Sequence, residues 1–213
     1  MDGSTGRART VEAGVSPGAI ASLAAMSIAE VFRRITTAFE QAGIRYMLTG
    51  SFAGAHYGVP RSTQDIDFVV EATPAQLQAF IESLPATEYY SDLDTALNAL
   101  KRQSMFNVID HATGWKVDLI IRKSRPFSIE EFGRRQSVNL HGVALFIASA
   151  EDVVISKLEW AKLAQSRRQV EDAAAILRVR WDALDHGYLE KWIGDLGLER
   201  DWRDAKSAAK MSD

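Results

Sequence analysis

Three aspartates in the chain have the residue type and the spacing to do chemistry together. Asp65 and Asp67 are two residues apart in the segment 65–70, whose alternating pattern is typical of a β-strand. Because successive side chains of a strand point to opposite faces, both carboxylates project from one face and apolar side chains from the other. Asp118 lies in a second strand-like segment, 115–122, again opposite to its apolar neighbours. If the two strands are neighbours in a sheet, the three carboxylates converge.

Converging carboxylates need a cation. Like charges held on rigid strands repel one another and are costly to desolvate, and oxygen ligands of this kind prefer hard cations such as Mg²⁺. Two such ions ~3.5–4 Å apart bridge phosphate oxygens and activate an attacking hydroxyl, which is the two-metal arrangement of phosphoryl transfer. The alternative is structural: Asp65 caps a turn, and Asp67 and Asp118 are solvated strand residues.

A glycine and a serine stand at a position suited to phosphate. The pair Gly50-Ser51 follows the strand-like segment 44–48, and a short helix-like segment, 51–58, follows. Free backbone amides and the positive end of a helix at such a point bind phosphate oxygens. A plain turn is the more common reason for such a pair, so its functional interpretation depends on the acids.

The pattern of the whole chain predicts an α/β (α+β) fold, with a mixed β-sheet, flanking helices and a C-terminal helical extension. Periodicity predicts helices at 27–42, 51–58, 73–84 and 92–101, and then at about 150–165, 168–180 and 185–196. A further short helix is predicted to end at Arg134-Arg135. Strands are predicted at 44–48 and 65–70, in a hairpin formed by 104–110 and 115–122, and in a second pair around His141-Gly142.

Composition divides the chain into three parts. Residues 1–25 are rich in Gly, Ser, Ala and Arg and are predicted to be disordered. A capping box over residues 27–30 predicts that the first helix begins there. Residues 26–148 form the predicted α/β core, and a second capping sequence at Ser149 opens the helical extension 149–213 of the same domain.

Composition also excludes several classes of protein. The 213 residues include no cysteine, which excludes disulfides, thiolate zinc sites and iron–sulfur clusters. A net charge of −3 argues against a general nucleic-acid coat protein. No apolar run reaches the roughly 18–20 residues of a membrane span, and no signal pattern opens the chain. We therefore expect a cytoplasmic protein with no membrane partner.

Taken in order, these residues resemble the nucleotidyltransferase superfamily. Its pattern of a Gly-Ser pair, an Asp-x-Asp strand and a later strand aspartate matches Gly50-Ser51, the strand residues 65–67 and Asp118. More narrowly, the sequence Pro-Arg-Ser-Thr-Gln-Asp-Ile-Asp at 60–67, followed by a helical half, resembles minimal nucleotidyltransferases of the AbiEii toxin type. The core of the likeness covers about 44–121, and a looser likeness extends to about 180.

The resemblance implies a transfer of a nucleoside monophosphate from an NTP to an acceptor hydroxyl, with Mg²⁺, in two ions, as cofactor. On this likeness Gly50 and Ser51 hold phosphates, Asp65 and Asp67 hold both metal ions, and Asp118 helps to activate the hydroxyl. The resemblance does not decide the acceptor, which is a tRNA 3′ end or other RNA, a protein side chain, or a small molecule such as an aminoglycoside. The AbiEii likeness implies the toxin of a toxin–antitoxin pair, with an antitoxin protein as partner.

Three further residues are candidates for the nucleotide site. Arg61 lies between the Gly-Ser pair and the acids, and the resemblance matches Lys157 and Asp172 to a helical lysine and a later aspartate. Lys157 also has apolar helical neighbours, so its ammonium needs a partner such as phosphate, unless its stem reaches solvent. For Asp172 the alternative is a surface pair with Arg168, and for Arg61 it is a structural bond to a nearby acid.

Two alternatives to this activity follow from the same residues. A catalytically silent nucleotide-binding or protein-interaction module would keep the fold and the acids. An α/β domain with incidental acids would leave Asp118 far from Asp65 and Asp67. The basic cluster at 122–125, continued by Arg134-Arg135, is either solvated surface or a contact for the phosphates of an RNA acceptor.

Overall fold

A mixed β-sheet forms the centre of the protein, and helices cover it. We describe a computed structural model of the chain, which covers residues 17–58 and 60–211. Within these residues the strands are β1 Arg45–Thr49, β2 Asp65–Glu71, β3 Tyr89–Tyr90, β4 Met105–Asp110, β5 Lys116–Ile121, β6 Gln136–Leu140 and β7 Val143–Ile147. The helices are α1 Pro17–Gln41, α2 Gly50–Tyr57, α3 Pro74–Ser83, α4 Leu93–Arg102, α5 Pro126–Gly133, α6 Ala150–Ala164, α7 Arg167–Arg180, α8 His186–Leu196 and α9 Glu199–Ala208, with a 3₁₀ turn at Trp181–Ala183.

The order of the strands places β2 near the middle of the sheet. The order is β3-β4-β5-β2-β1-β7-β6, in which β2 is antiparallel to β1 and parallel to β5. The β1–β7 pair is also parallel, and the other neighbours are antiparallel. The predicted α/β (α+β) class, mixed sheet and C-terminal helical extension are confirmed.

The aromatic core lies on the face of the sheet opposite to the acids. Phe68 of β2 contacts Phe39 of α1 edge to face, with ring centroids 5.4 Å apart, and Phe39 stacks on Phe80 of α3 at 5.0 Å. All three rings are fully buried. Because side chains alternate along β2, this packing fixes Asp67 on the other face.

The first helix begins earlier than the capping box predicts. It runs from Pro17, so residues 17–25, predicted to be disordered, are helical, and Ser27 lies inside the helix. The physical reason is that proline suits the first turn of a helix and that the alanine-rich segment 19–26 has high helix propensity. Residues 1–16 of the predicted disordered segment lie outside the described residues.

The other predicted elements match the structure to within a few residues, and two elements were missed. The strand β3 has two residues, which is too short for a periodic pattern. The helix α9 is rich in charge and has Trp202 as its one large apolar residue, so its sequence gives little apolar content from which to predict it. The division into a core and an extension stays a prediction. Across the described part of the chain, no helix combines the length and the apolar character that a membrane span requires.

A side-chain cap fixes the start of α6. The Ser149 hydroxyl accepts a hydrogen bond from the Asp152 amide at 3.3 Å and donates to the Asp152 carboxylate at 2.7 Å, and both residues are buried. We expect Ser149→Ala to lower the free energy of unfolding by about 1–2 kcal/mol. Ser166→Ala is the matched control, because Ser166 precedes α7 without a side-chain cap. Equal losses in the two variants, measured by urea unfolding, would contradict the assignment.

Candidate active site

The parallel pairing of β2 with β5 brings the three predicted acids together. Asp67 lies directly opposite Asp118 in the register, and Asp65 lies opposite Lys116. Asp65 and Asp67 share one face of β2, and Asp118 shares it on the neighbouring strand. The alternative in which Asp118 lies far from the other acids is therefore wrong.

The three carboxylates differ in exposure and in electrostatic environment. The Asp65 side chain is 53% exposed, whereas Asp118 is buried. Burial raises the pKa of Asp67, and the charges of Asp118 and Asp65 raise it further, while the Ser51 amide and the Lys157 ammonium oppose the shift. Asp118 Oδ1 is buried and has no hydrogen-bond partner among the described residues. The group thus has spare oxygens and excess negative charge on one face.

A lysine that the sequence analysis did not single out lies among these acids. Lys116 Nζ is 3.2 Å from Asp65 Oδ1 and 3.0 Å from Asp118 Oδ2. The signal was present, because Lys116 and Asp118 are two residues apart on one strand and must share a face.

The chain comes very close to Asp67 at the start of α2. Gly50 is the first residue of this helix and has a φ of +64°, a conformation that favours glycine. A Cβ at this position would overlap the Asp67 carboxylate. The Ser51 amide hydrogen-bonds to the same carboxylate. Gly50 and Ser51 therefore lie against the acids, and their predicted role in phosphate binding stays a prediction.

Arg61, Lys157 and Asp172 form one ion-paired network beside the acids. Arg61 Nε is 3.2 and 3.1 Å from the two carboxylate oxygens of Asp172, and Lys157 Nζ is 2.8 Å from Asp172 Oδ2. Lys157 is buried, so its stem does not reach solvent, and Asp172 pairs with these two cations rather than with Arg168. Arg61 Nη2 also donates to Ser51 Oγ at 2.5 Å. The network therefore connects α6 and α7 to the start of α2.

Burial disfavours the charged form of Lys157. It lowers the pKa of Lys157, and the hydrogen bond and charge of Asp172 oppose that shift. The Asp67 charge opposes it as well, which couples the network to the acids. A Cβ at Gly54 would be 2.9 Å from Lys157 Cε, so a small residue in α2 leaves room for the lysine stem.

Two clefts meet at Asp67 in the described part of the chain. The larger has a volume of about 640 Å³ and extends from Asp67 and Asp118 to Trp160 and Leu163 of α6. The smaller has a volume of about 550 Å³ and a mostly polar lining: Ser51, Arg61, Ser62, Thr63, Gln64, Asp65, Asp67, Arg168 and Gln169. Ser51, Asp67 and Gln169 line both clefts. The acids can thus be reached from two sides.

The basic cluster after β5 is largely engaged in internal ion pairs. Arg122 pairs with Glu71, Arg125 donates to both carboxylate oxygens of Glu159, and Arg134 pairs with Glu151 and Asp152. These guanidinium groups hold neighbouring elements together. They offer little support for the predicted contact with RNA phosphates.

A buried glutamate that the sequence analysis also missed lines the larger cleft. Burial raises the pKa of Glu131 to about 8, the charges of Asp152 and Glu159 add to the shift, and Arg125 and Lys123 oppose it. No pattern in the short helix α5 distinguishes this residue from its neighbour Glu130.

The donor chemistry of the site fits a hard cation. The available oxygens are carboxylates, Asp118 Oδ1 lacks a partner, and Asp67 is repelled by both neighbouring acids. Within the described residues, no three His, Cys, Asp or Glu side chains form a ready-made metal cluster.

Gly50 yields a prediction about the shape of the site. We expect Gly50→Ala to displace Asp67 and to cost more stability than Gly114→Ala. The control residue has a φ of +72° and open space around it, so its variant carries only the left-handed strain of about 1–2 kcal/mol. Urea unfolding of both variants measures the difference. Equal losses would mean that the site tolerates a side chain at Gly50.

Glu131 yields a prediction about pH. The folded protein keeps the Glu131 proton up to a pKa of about 8, whereas the unfolded chain loses it near 4.5, so ionisation destabilises the fold as pH rises through this range. We expect Glu131→Gln to gain melting temperature relative to the wild type between about pH 5 and about pH 8. Glu130→Gln, which removes a half-exposed partner of Lys191, is the control and should show no such gain. A difference independent of pH would contradict the prediction.

Comparisons with known proteins agree with the fold. The sequence model of a family described as "Nucleotidyltransferase of unknown function (DUF6036)" matches residues 27–211. No curated protein sequence matches the chain. The predicted superfamily is confirmed, and the narrower AbiEii type stays a prediction.

The search of solved structures found several similar proteins. The solution structure of the antibiotic-resistance factor ANT(2'')-Ia has a TM-score of 0.54 and 13% identity, and the match covers 80% of this chain and 91% of that chain. An antigenic nucleotidyltransferase-like protein from Paracoccidioides brasiliensis has a TM-score of 0.49 and 18% identity, over 84% and 90% of the two chains. The first likeness shows a shared fold. Because the family match covers most of the chain, the protein belongs to this nucleotidyltransferase family and is an enzyme of that class.

Proposed function

We propose that the protein is a Mg²⁺-dependent nucleotidyltransferase that moves a nucleoside monophosphate from an NTP to an acceptor hydroxyl. The observation that carries the proposal is the register of β2 and β5, in which Asp67 lies opposite Asp118 on the face that also bears Asp65. The family match supports the reaction class.

Asp65, Asp67 and Asp118 would hold the metal. Bound Mg²⁺, in two ions, would neutralise phosphate charge and lower the pKa of the attacking hydroxyl. The unpartnered Oδ1 of Asp118 and the mutual repulsion at Asp67 are the two features that a cation would relieve. Gly50 permits the close approach on which this arrangement depends.

The NTP would occupy the smaller, polar cleft. Its lining includes Arg61 and Arg168, whose guanidinium groups suit phosphate oxygens, and the Ser51 hydroxyl at the start of α2. Arg61 is held toward Ser51 by Asp172, which also holds Lys157. We therefore assign phosphate binding to Arg61 and Ser51. We assign Asp172 to the nucleotide site through its ion pair with Arg61, and Lys157 through its ion pair with Asp172.

The acceptor would approach from the larger cleft. A volume of about 640 Å³ lies in the range of small-molecule pockets, which favours a small molecule or the terminal nucleotide of an RNA over a large folded surface. The toxin role and an antitoxin partner rest only on a resemblance, that of segment 60–67 and of the following helical half with Lys157 and Asp172.

The reaction would be an in-line displacement at the α-phosphorus. The acceptor oxygen forms a bond to this phosphorus while the bond to the oxygen that bridges to the β-phosphate breaks, and pyrophosphate leaves. Asp118, which lines the larger cleft, would take the hydroxyl proton. Arg61 would bind the phosphates, and Gly50 and Ser51 would keep Asp67 in place.

A labelling experiment tests this function. Wild type and Asp67→Asn are incubated with Mg²⁺, each α-³²P-labelled NTP and a bacterial extract that contains RNA, protein and small molecules. RNA and protein are resolved on gels and small molecules by thin-layer chromatography. We expect transfer by the wild type and a loss of about a hundredfold or more in the variant, because a metal ligand matters at least as much as the groups that support it.

The control separates chemistry from folding. Asp94→Asn removes an exposed carboxylate of α4 that lines neither cleft, and should keep full transfer. Asp67→Asn should melt at the same or a higher temperature than the wild type, because the repulsion among the acids falls. Undiminished transfer by Asp67→Asn would contradict the proposal. NTP binding without transfer to any acceptor would favour the silent module.

A further inference from the structure

Lys116 lies where the acids need positive charge. It is the first residue of β5, opposite Asp65 in the register and on the same face as Asp118. Its ammonium is 3.2 Å from Asp65 Oδ1 and 3.0 Å from Asp118 Oδ2, so it bridges two strands. Lys116 is therefore placed as a counter-ion to Asp65 and Asp118.

This counter-ion satisfies the acids only in part. Lys116 contacts one oxygen of Asp118 and leaves Oδ1 of the same carboxylate without a partner. Asp67, which lies two residues after Asp65 and directly opposite Asp118, has no ion pair with the ammonium. A single positive charge that bridges Asp65 and Asp118 therefore leaves the charge of Asp67 without an ion-pair partner.

We propose that Lys116 is a positioning residue whose ammonium takes the place of the metal ion when no metal is bound. It holds Asp65 and Asp118 together and competes with a divalent cation for their oxygens. The inference rests on the proposed function, because it takes these acids as the metal ligands. Two cations at the same carboxylate oxygens repel each other, so the ammonium must move when the metal binds. Its flexible four-carbon stem allows that movement.

The competition links metal binding to the arrival of the nucleotide. In the free protein the ammonium weakens the affinity of the acids for a divalent cation. When the cation arrives with a triphosphate, the phosphate charge offers the released ammonium a new partner. The smaller cleft, lined by Asp65 and Asp67, is next to this position.

A purely structural lysine would behave differently. The Lys116 side chain is 37% exposed, and an ion pair at such a position adds little to stability. Its removal should leave the fold intact. If Lys116 only tied the strands together, its removal would not raise the affinity for metal.

The test measures Mn²⁺ binding to the full-length protein without nucleotide, by isothermal titration calorimetry and by the electron paramagnetic resonance of free Mn²⁺. We expect Lys116→Met to bind Mn²⁺ about tenfold or more tightly than the wild type, because a nearby positive charge is gone. Lys116→Gln serves as a second neutral variant, and Lys116→Arg, which keeps the charge, should resemble the wild type. Lys101→Met, an equal loss of charge on the exposed side of α4, should leave the affinity unchanged.

The outcomes separate this inference from the proposed function. If both neutral variants bind Mn²⁺ no more tightly than the wild type, the inference is overturned. An equal gain in Lys101→Met would overturn it as well, because the effect would then be one of net charge. If Lys116→Met binds Mn²⁺ more tightly than the wild type, and if Asp67→Asn in the same protein removes that gain, the inference holds. It then holds even if the labelling experiment finds no transfer and the proposed function fails.

Discussion

The mutual repulsion of three carboxylates on one face of the sheet is the constraint on which the site depends. Parallel pairing of β2 and β5 sets Asp67 opposite Asp118, and the alternation of β2 adds Asp65. The fold tolerates the electrostatic cost of this repulsion because the opposite face of β2 packs in an aromatic core around Phe68. The fold thus concentrates negative charge where a metal ion would bind beside a triphosphate. Such clusters of like charge are common at catalytic sites.

The surrounding elements limit how this charge is relieved. Gly50 lets the start of α2 come into contact with Asp67, and the Ser51 amide offers one hydrogen bond. From the other side, Asp172 holds two cations, Arg61 and Lys157, close to the same carboxylate. The helical half of the chain is therefore part of the site, because α6 and α7 supply this network.

The face on which each acid lies could be predicted from the sequence, because an alternation of two residues fixes the face of a strand. The pairing of β2 with β5, which brings Asp118 to Asp67, entered the sequence analysis only as a condition. The partner of Asp172 could not, since Arg61 is 111 residues away and the nearer Arg168 offered a simpler pair. The position of Lys116 could be predicted from the same alternation as that of Asp118, but a lysine at the end of a strand usually faces solvent. Glu131 acquires its raised pKa from tertiary burial. The start of α1 depends on a proline and an alanine-rich segment that precede the capping box from which the helix was predicted to begin.

The most direct test of the account is crystallographic: the position of Mn²⁺ in crystals grown with Mn²⁺ and a non-hydrolysable NTP analogue, located by its anomalous scattering. The account predicts density between Asp67 and Asp118, with Asp65 as a further ligand and the Lys116 ammonium displaced from both of its present partners. Density elsewhere, or a nucleotide bound while Lys116 still bridges Asp65 and Asp118, would contradict it.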